Sequence, residues 1–374
     1  ETQITTAGGA VTALDAGNVF GGAVSVDARD GDAGAGDVSL AAAGDLELGA
    51  VRADLLSVTA GGALTQSAAL ELGAGAALSA DGFTLRNAGN AFGAELSLTG
   101  GAATLRAAGP VTLGASSLTS LSLQAGGDIG QTGQGILSVA GDSRFETPGD
   151  VTLEAANAFD GAVSIVGEAV SVSDADSLSL VSVEAGESLS ARALAGDLSL
   201  EQVRVGGGAG ALSGGADGGS IYLVSVLAGD TVLGGVEGAA ARDIWVDTAV
   251  LGSLEATAAG GGGFDGVRLS NLALDGDLRV AQAPNLALDG VRLGTDAGFD
   301  AGEVTGTLSL HRVRVAGDLS VSILGDIRLG LVETSAGEEG AGHLSLTSLG
   351  GDIAKLRDAD IDFAAAGAGG GTLS

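Results

Sequence analysis

Only two imidazoles occur in the 374 residues, His311 in "SLHRVRV" and His343 in "GHLSL", and they bound the acid–base chemistry open to this chain. A general base needs a positioned partner. Neither histidine has a companion at metal-ligand spacing, and no H-E-x-x-H is present. A Ser-His-Asp triad is compatible with any chain order, but no G-x-S-x-G elbow marks a nucleophile. Both histidines therefore read as solvated, structural positions. Carboxylates are plentiful. In "RDADIDF" strand alternation places Asp358, Asp360 and Asp362 on one face, with Ala359, Ile361 and Phe363 on the other. Clustered acids of this kind serve two-carboxylate glycan cleavage, and their oxygens suit weak calcium binding. The tandem G-G-x-G-x-D signature is absent, and "GGADGG" at 214–219 reads as a loop. A solvated strand face accounts for the acids. Arg268, Arg292 and Arg314, each in Val-Arg-Val/Leu, are expected to stack on three successive turns. They form either a cationic stripe for an anionic sugar or a set of ion pairs with neighbouring Asp and Glu. Trp245 and Tyr222 read as lone aromatics in core or turn packing. No catalytic, cofactor-binding or metal residue is assigned from these patterns.

The elements that must position these residues follow from composition and repeat. There are 68 Gly, 3 Pro, no Cys, no Met, one Trp, one Tyr and 8 Phe. So few aromatics beside many Ala, Val and Leu predict a narrow core of constant cross-section. Lys and Arg total 16 against 47 Asp and Glu, a formal net charge of -31, which argues against nucleic acid and against anionic lipid. Zero cysteines removes disulfides and thiolate metal sites. No apolar run is long enough to span a bilayer as a helix. The first residue is Glu1 and the last stretch, "GAGGGTLS", reads as a strand just starting, so a longer natural chain is expected.

Three related stretches, "DAGNVFGGAVSV" at 15–26, "NAGNAFGAELSL" at 87–98 and "EAANAFDGAVSI" at 154–165, set Asn18, Asn90 and Asn157 at spacings of 72 and 67. "LGAVRADLLSVTAGGALTQ" at 48–66 aligns with "LGASSLTSLSLQAGGDIGQ" at 113–131, an offset of 65. Val-Arg-Val/Leu, centred on Arg204, Arg268, Arg292 and Arg314, recurs at 64, 24 and 22. Short apolar-polar-apolar runs such as "DVSL", "DLSL" and "DLRV" have strand period, and Gly interrupts every helical window. Strands of this length in a unit of about 22 residues predict one turn of a right-handed parallel β-helix, a β-solenoid with the 65-residue spacing close to three turns. Gly-Asp before many strands, at Asp37, Asp45, Asp150, Asp197, Asp277, Asp318, Asp326 and Asp352, suggests carboxylates bonding their own turns. The recurring Asn is expected at a left-handed corner, with Phe plugging the core beside it and Gly bending the chain away, once every third turn. Residues 1–374 read as a single solenoid segment, with Gly-rich loops at 206–220 and 259–266.

Blocks of "GGALTQSAALEL…FTLRNAGNAFGAELSL" type resemble the repeats of filamentous-haemagglutinin-like exoproteins, exported by two-partner secretion, and similar blocks occur in autotransporter passengers. The resemblance covers residues 1–200 well and the rest loosely. It implies a non-enzymatic, extracellular or surface-exposed stalk of an adhesin-type protein from a Gram-negative bacterium. It also implies partners among surface glycans or receptors on host or neighbouring cells, and an outer-membrane transporter during export. Two other readings differ in mechanism: an extracellular filament or matrix subunit stacked end to end through uncapped turns, and a glycan-active enzyme on the same scaffold.

Overall fold

The computed structural model describes residues 1–30, 35–206, 211–235, 239–261, 263–295, 297–334 and 343–355. It is an all-β parallel β-solenoid of about 16 turns with about 20 residues per turn, slightly fewer than the 22 read from the sequence. Clustering of contacts divides the chain into two compact units, Glu1–Asp174 and Ala175–Ser374.

In Glu1–Asp174 each full turn carries three strand faces. The turn from 111 onward shows them: Val111–Leu113, Ser116–Leu118 and Ser120–Gln124 are followed one turn later by Ile129–Gln131, Leu137–Val139 and Ser143–Glu146. Alternation sends every second side chain inward, and parallel register stacks like on like. Leu85, Leu105, Leu123, Phe145 and Ile165 form one such buried column. Phe145 meets Phe159 edge-on at 6.2 Å. Turns differ in length: Val11 pairs with Val38, 27 residues on, while Leu96 pairs with Leu113, 17 on.

The recurring Asn does not sit in left-handed geometry, which overturns the corner role expected of it. Asn90 is fully buried. Its Oδ1 accepts from the Leu70 N–H at 3.0 Å, and its Nδ2 donates to Leu85 O at 3.2 Å and Arg106 O at 3.0 Å. Asn157 repeats this, accepting from the Leu137 N–H at 2.9 Å and donating to Leu153 O and Ser173 O at 3.1 Å each. A glutamine completes each set: Gln66 bonds Asn90, and Gln131 bonds Asn157. One primary amide thus satisfies backbone groups on three successive turns, where a buried orphan would be costly. Phe92 and Phe159 are buried beside these amides, whereas Phe20 beside Asn18 is only half-buried. Gly93 does turn the chain as expected. Its φ is +73°, and a Cβ there would lie 2.6 Å from Gly73 O.

The repeat is not three turns long. Asn90 follows Leu85, which shares a column with Phe145, but Asn157 follows Leu153, on the next face of the same turn as Phe145. Likewise Leu48 pairs with Gln66, in the column leading to Leu85, whereas its sequence counterpart Leu113 pairs with Leu96 and Gln131. The repeat therefore spans three turns and one further face, so each copy is rotated by one face relative to the last.

In Ala175–Ser374 the first face stacks Leu198, Ile221, Ile244, Val267, Leu286, Leu308 and Ile327, all essentially inaccessible. A left-handed residue separates this face from the next on six successive turns: Gln202, Ser225, Thr248, Asn271, Gly290 and Arg312, with φ between 50° and 71°. A β-branched residue is strained there, so Thr248→Asn is expected to raise stability by about 0.5–1 kcal/mol, read as a higher denaturation midpoint. Within 206–220, expected as a loop, Ala211–Ala216 is a strand. Pairing on both edges, with Ser188–Ala193 and Thr231–Gly234, outweighs the poor strand preference of Gly214 and Gly215.

The Gly-Asp carboxylates do not bond their own turns. Each reaches the next one: Asp45 Oδ1 accepts from Ala63 N–H at 2.8 Å, Asp197 from Ser220 N–H and Asp277 from Gly298 N–H at 2.7 Å, and Asp326 from Asp352 N–H at 3.0 Å. Corner N–H groups of one turn thereby find acceptors on the turn before, which gives part of the acidic composition a structural role.

Candidate functional site

On the outward side of the first face of Ala175–Ser374, parallel register aligns Ser199, Tyr222, Trp245, Arg268, Ala287, Ser309 and Arg328. Tyr222 and Trp245 are not lone aromatics. Their ring centroids are 6.2 Å apart in a T-shaped pair, and Phe264 joins both, at 6.5 Å from Tyr222 and 6.0 Å from Trp245. Core packing is not their role, because all three rings are half-buried on the outer surface. The core columns are filled by aliphatics, which leaves the rings outside.

Phe264 comes from the Gly-rich stretch 259–266. Buried Asp243 organises this loop: its Oδ1 accepts from Gly266 N–H at 2.8 Å and its Oδ2 from Phe264 N–H at 3.3 Å. Asp265 at φ 55° turns the chain back, caps Gly261 N–H at 2.9 Å and receives Asn285 Nδ2. The loop is a built support for one aromatic ring.

Phe264 also walls a groove of about 360 Å³ that Arg268, Asp289, His311 and Arg328 border, with Ala287 and Ser309 between the two arginines. His311 Nδ1 lies 2.9 Å from Asp289 Oδ1, and Arg312 Nε donates to the same oxygen at 2.7 Å. Burial pushes the Asp289 carboxyl upward, but its hydrogen bonds with His311 and Arg312, and their charge, outweigh that and hold it below the ordinary carboxylate range. A depressed carboxylate contributes stability that is present above its unfolded value and lost as pH falls through its folded one. The stability gap between the wild type and Asp289→Asn is therefore expected to be widest near neutrality and to close in acid below the usual carboxylate range. Melting temperatures across pH check this.

No hydrogen bond joins Ser309 to His311, so the nucleophile–base contact of a triad is not formed there. His343 presents its backbone N–H to Asp318 at 2.7 Å. The three arginines do not form one stripe. Arg292 and Arg314 are register partners, and Arg314 is held by Glu333 at 2.6 Å, but Arg268 belongs to the column of Trp245 on another face. The cause is the same rotation by one face that separates the Asn residues. Arg268 and Arg328 have no ion pair among the described residues. Asp358, Asp360 and Asp362 lie outside the described residues. Among those described, no group of three or more His, Asp or Glu is placed to hold a metal.

What this arrangement can do chemically is bind. It offers aromatic surface, two guanidinium groups without acidic partners and the Ser309 hydroxyl along a shallow trough. Residues 35–99 and 100–166 each match the model of a family described as repeats of unknown function (DUF5649). These repeats therefore form a β-solenoid here, and each match contains one Gln–Asn pair, Gln66 with Asn90 and Gln131 with Asn157. No curated protein and no solved structure matches the chain.

Proposed function

We propose that this chain is a non-enzymatic, stalk-forming β-solenoid segment of a large bacterial surface or secreted protein of the filamentous-haemagglutinin-like type, presenting binding surfaces outside the cell. One observation carries the reading. Inward columns stay aliphatic over many turns, as from Leu198 to Ile327, while the outward neighbours change from Ser199 to Tyr222, Trp245, Arg268 and Arg328. A scaffold that holds its core constant and varies its surface suits presentation of contacts. Antibody against the chain is expected to label intact cells of the source bacterium, and surface proteolysis is expected to remove the signal. Labelling that requires permeabilisation would count against the proposal.

A further inference from the structure

We propose that the groove between Phe264 and Arg328 binds a glycan in which a single uronic-acid carboxylate is set among neutral sugars. The inference rests on the surface-presentation reading only for access to such glycans; the site itself stands on its geometry.

Three features of the groove select this ligand. Sugars present C–H faces that pack on aromatic rings, and Phe264 is held against Trp245 and Tyr222 in a cluster outside the core. The indole Nε1 of Trp245 is buried without a hydrogen-bond partner, so this ring contributes surface rather than a donor. Guanidinium groups take carboxylates in a two-pronged geometry. Arg268 and Arg328 are both exposed and free of acidic partners among the described residues. Three turns separate them in one column, a span of about 14 Å at the usual spacing between strands. Ala287 and Ser309 occupy the two intervening turns, and such small side chains leave the trough open for sugar rings.

Charge decides among anionic ligands. Asp289, the acid within the groove, is already engaged by His311 and Arg312, leaving a small positive island on a chain of net charge -31. A polyanion long enough to leave that island meets repulsion along the rest of the surface, which disfavours nucleic acid and continuous polyuronate. An isolated carboxylate among neutral sugars meets the attraction without the repulsion.

Trp245 is the sole tryptophan, so its emission reports on the cluster without interference. The purified chain is titrated with a glucuronic-acid-bearing xylo-oligosaccharide, with the uncharged xylo-oligosaccharide of the same length, and with oligothymidylate, by Trp245 fluorescence and calorimetry. The charged sugar is expected to perturb the emission and to bind about tenfold or more tightly than the neutral one. Arg268→Ala and Arg328→Ala should each erase most of that preference. Phe264→Ala should weaken both sugars, with circular dichroism unchanged in every variant. No binding of the charged sugar, equal binding of both sugars, retention of the preference in both arginine variants, or tighter binding of oligothymidylate would each overturn the proposal. Surface labelling of intact cells is read separately, so an empty groove on a surface-exposed chain would refute the ligand and leave the presentation role standing.

Discussion

Asn90→Ala is expected to destabilise Glu1–Asp174 by about 3–5 kcal/mol, the largest effect foreseen for one polar substitution. The alanine would leave the Leu70 N–H, the Leu85 and Arg106 carbonyls and the Gln66 amide buried without their partner. Each orphaned group costs about 1–3 kcal/mol, partly offset by relaxation. Asn157→Ala should behave alike, since its amide spans Leu137, Leu153 and Ser173 in the same way. Asn18→Ala provides the contrast, at about 1 kcal/mol. Asn18 is only half-buried, and its Nδ2 reaches Ala13 O and Ala41 O at 3.2 and 3.3 Å. Urea unfolding followed by far-UV circular dichroism gives the ranking. Equal, small shifts for all three would show that the buried amides do not link the turns.

Asp243→Ala is the second. It removes the acceptor of two loop N–H groups, one of them on buried Gly266, for an expected loss of about 2–3 kcal/mol in Ala175–Ser374. Its signature is spectroscopic. With the loop released, Phe264 no longer covers Trp245, and the emission shifts to the red as water reaches the indole. Asp243→Asn, which keeps one acceptor oxygen, should retain most of the wild-type spectrum. An unchanged spectrum in the alanine variant would mean that the carboxylate does not hold the loop.

Strand period, short turns and the repeat were legible because aliphatic alternation and Gly punctuation survive in every turn. The amide role of Asn was not, since a buried side chain bridging three turns leaves the same letter in the sequence as a left-handed corner. The left-handed positions were illegible for a complementary reason: Gln202, Ser225, Thr248, Asn271, Gly290 and Arg312 share no residue type. The aromatic cluster depended on period. Tyr222, Trp245 and Arg268 are 23 residues apart, and register pairs them directly. A period of 22 misplaces each by one residue, and in a strand that error exchanges the inward and outward faces. The arginine stripe failed similarly, because a spacing of 64 in this unit ends one face away from where it began.

All of these expectations depend on which residues lie side by side on neighbouring turns, and oxidation of paired cysteines reads that directly in a chain that has none of its own. Thr104 and Ser122 are outward register partners, while Arg144 lies one turn beyond Ser122. Adjacent parallel strands bring Cα atoms within disulfide reach, and strands two apart do not. The variant Thr104→Cys/Ser122→Cys is expected to form an intramolecular disulfide readily, and Thr104→Cys/Arg144→Cys is not. Closure of the second pair in preference to the first, or of neither, would contradict the stacked solenoid.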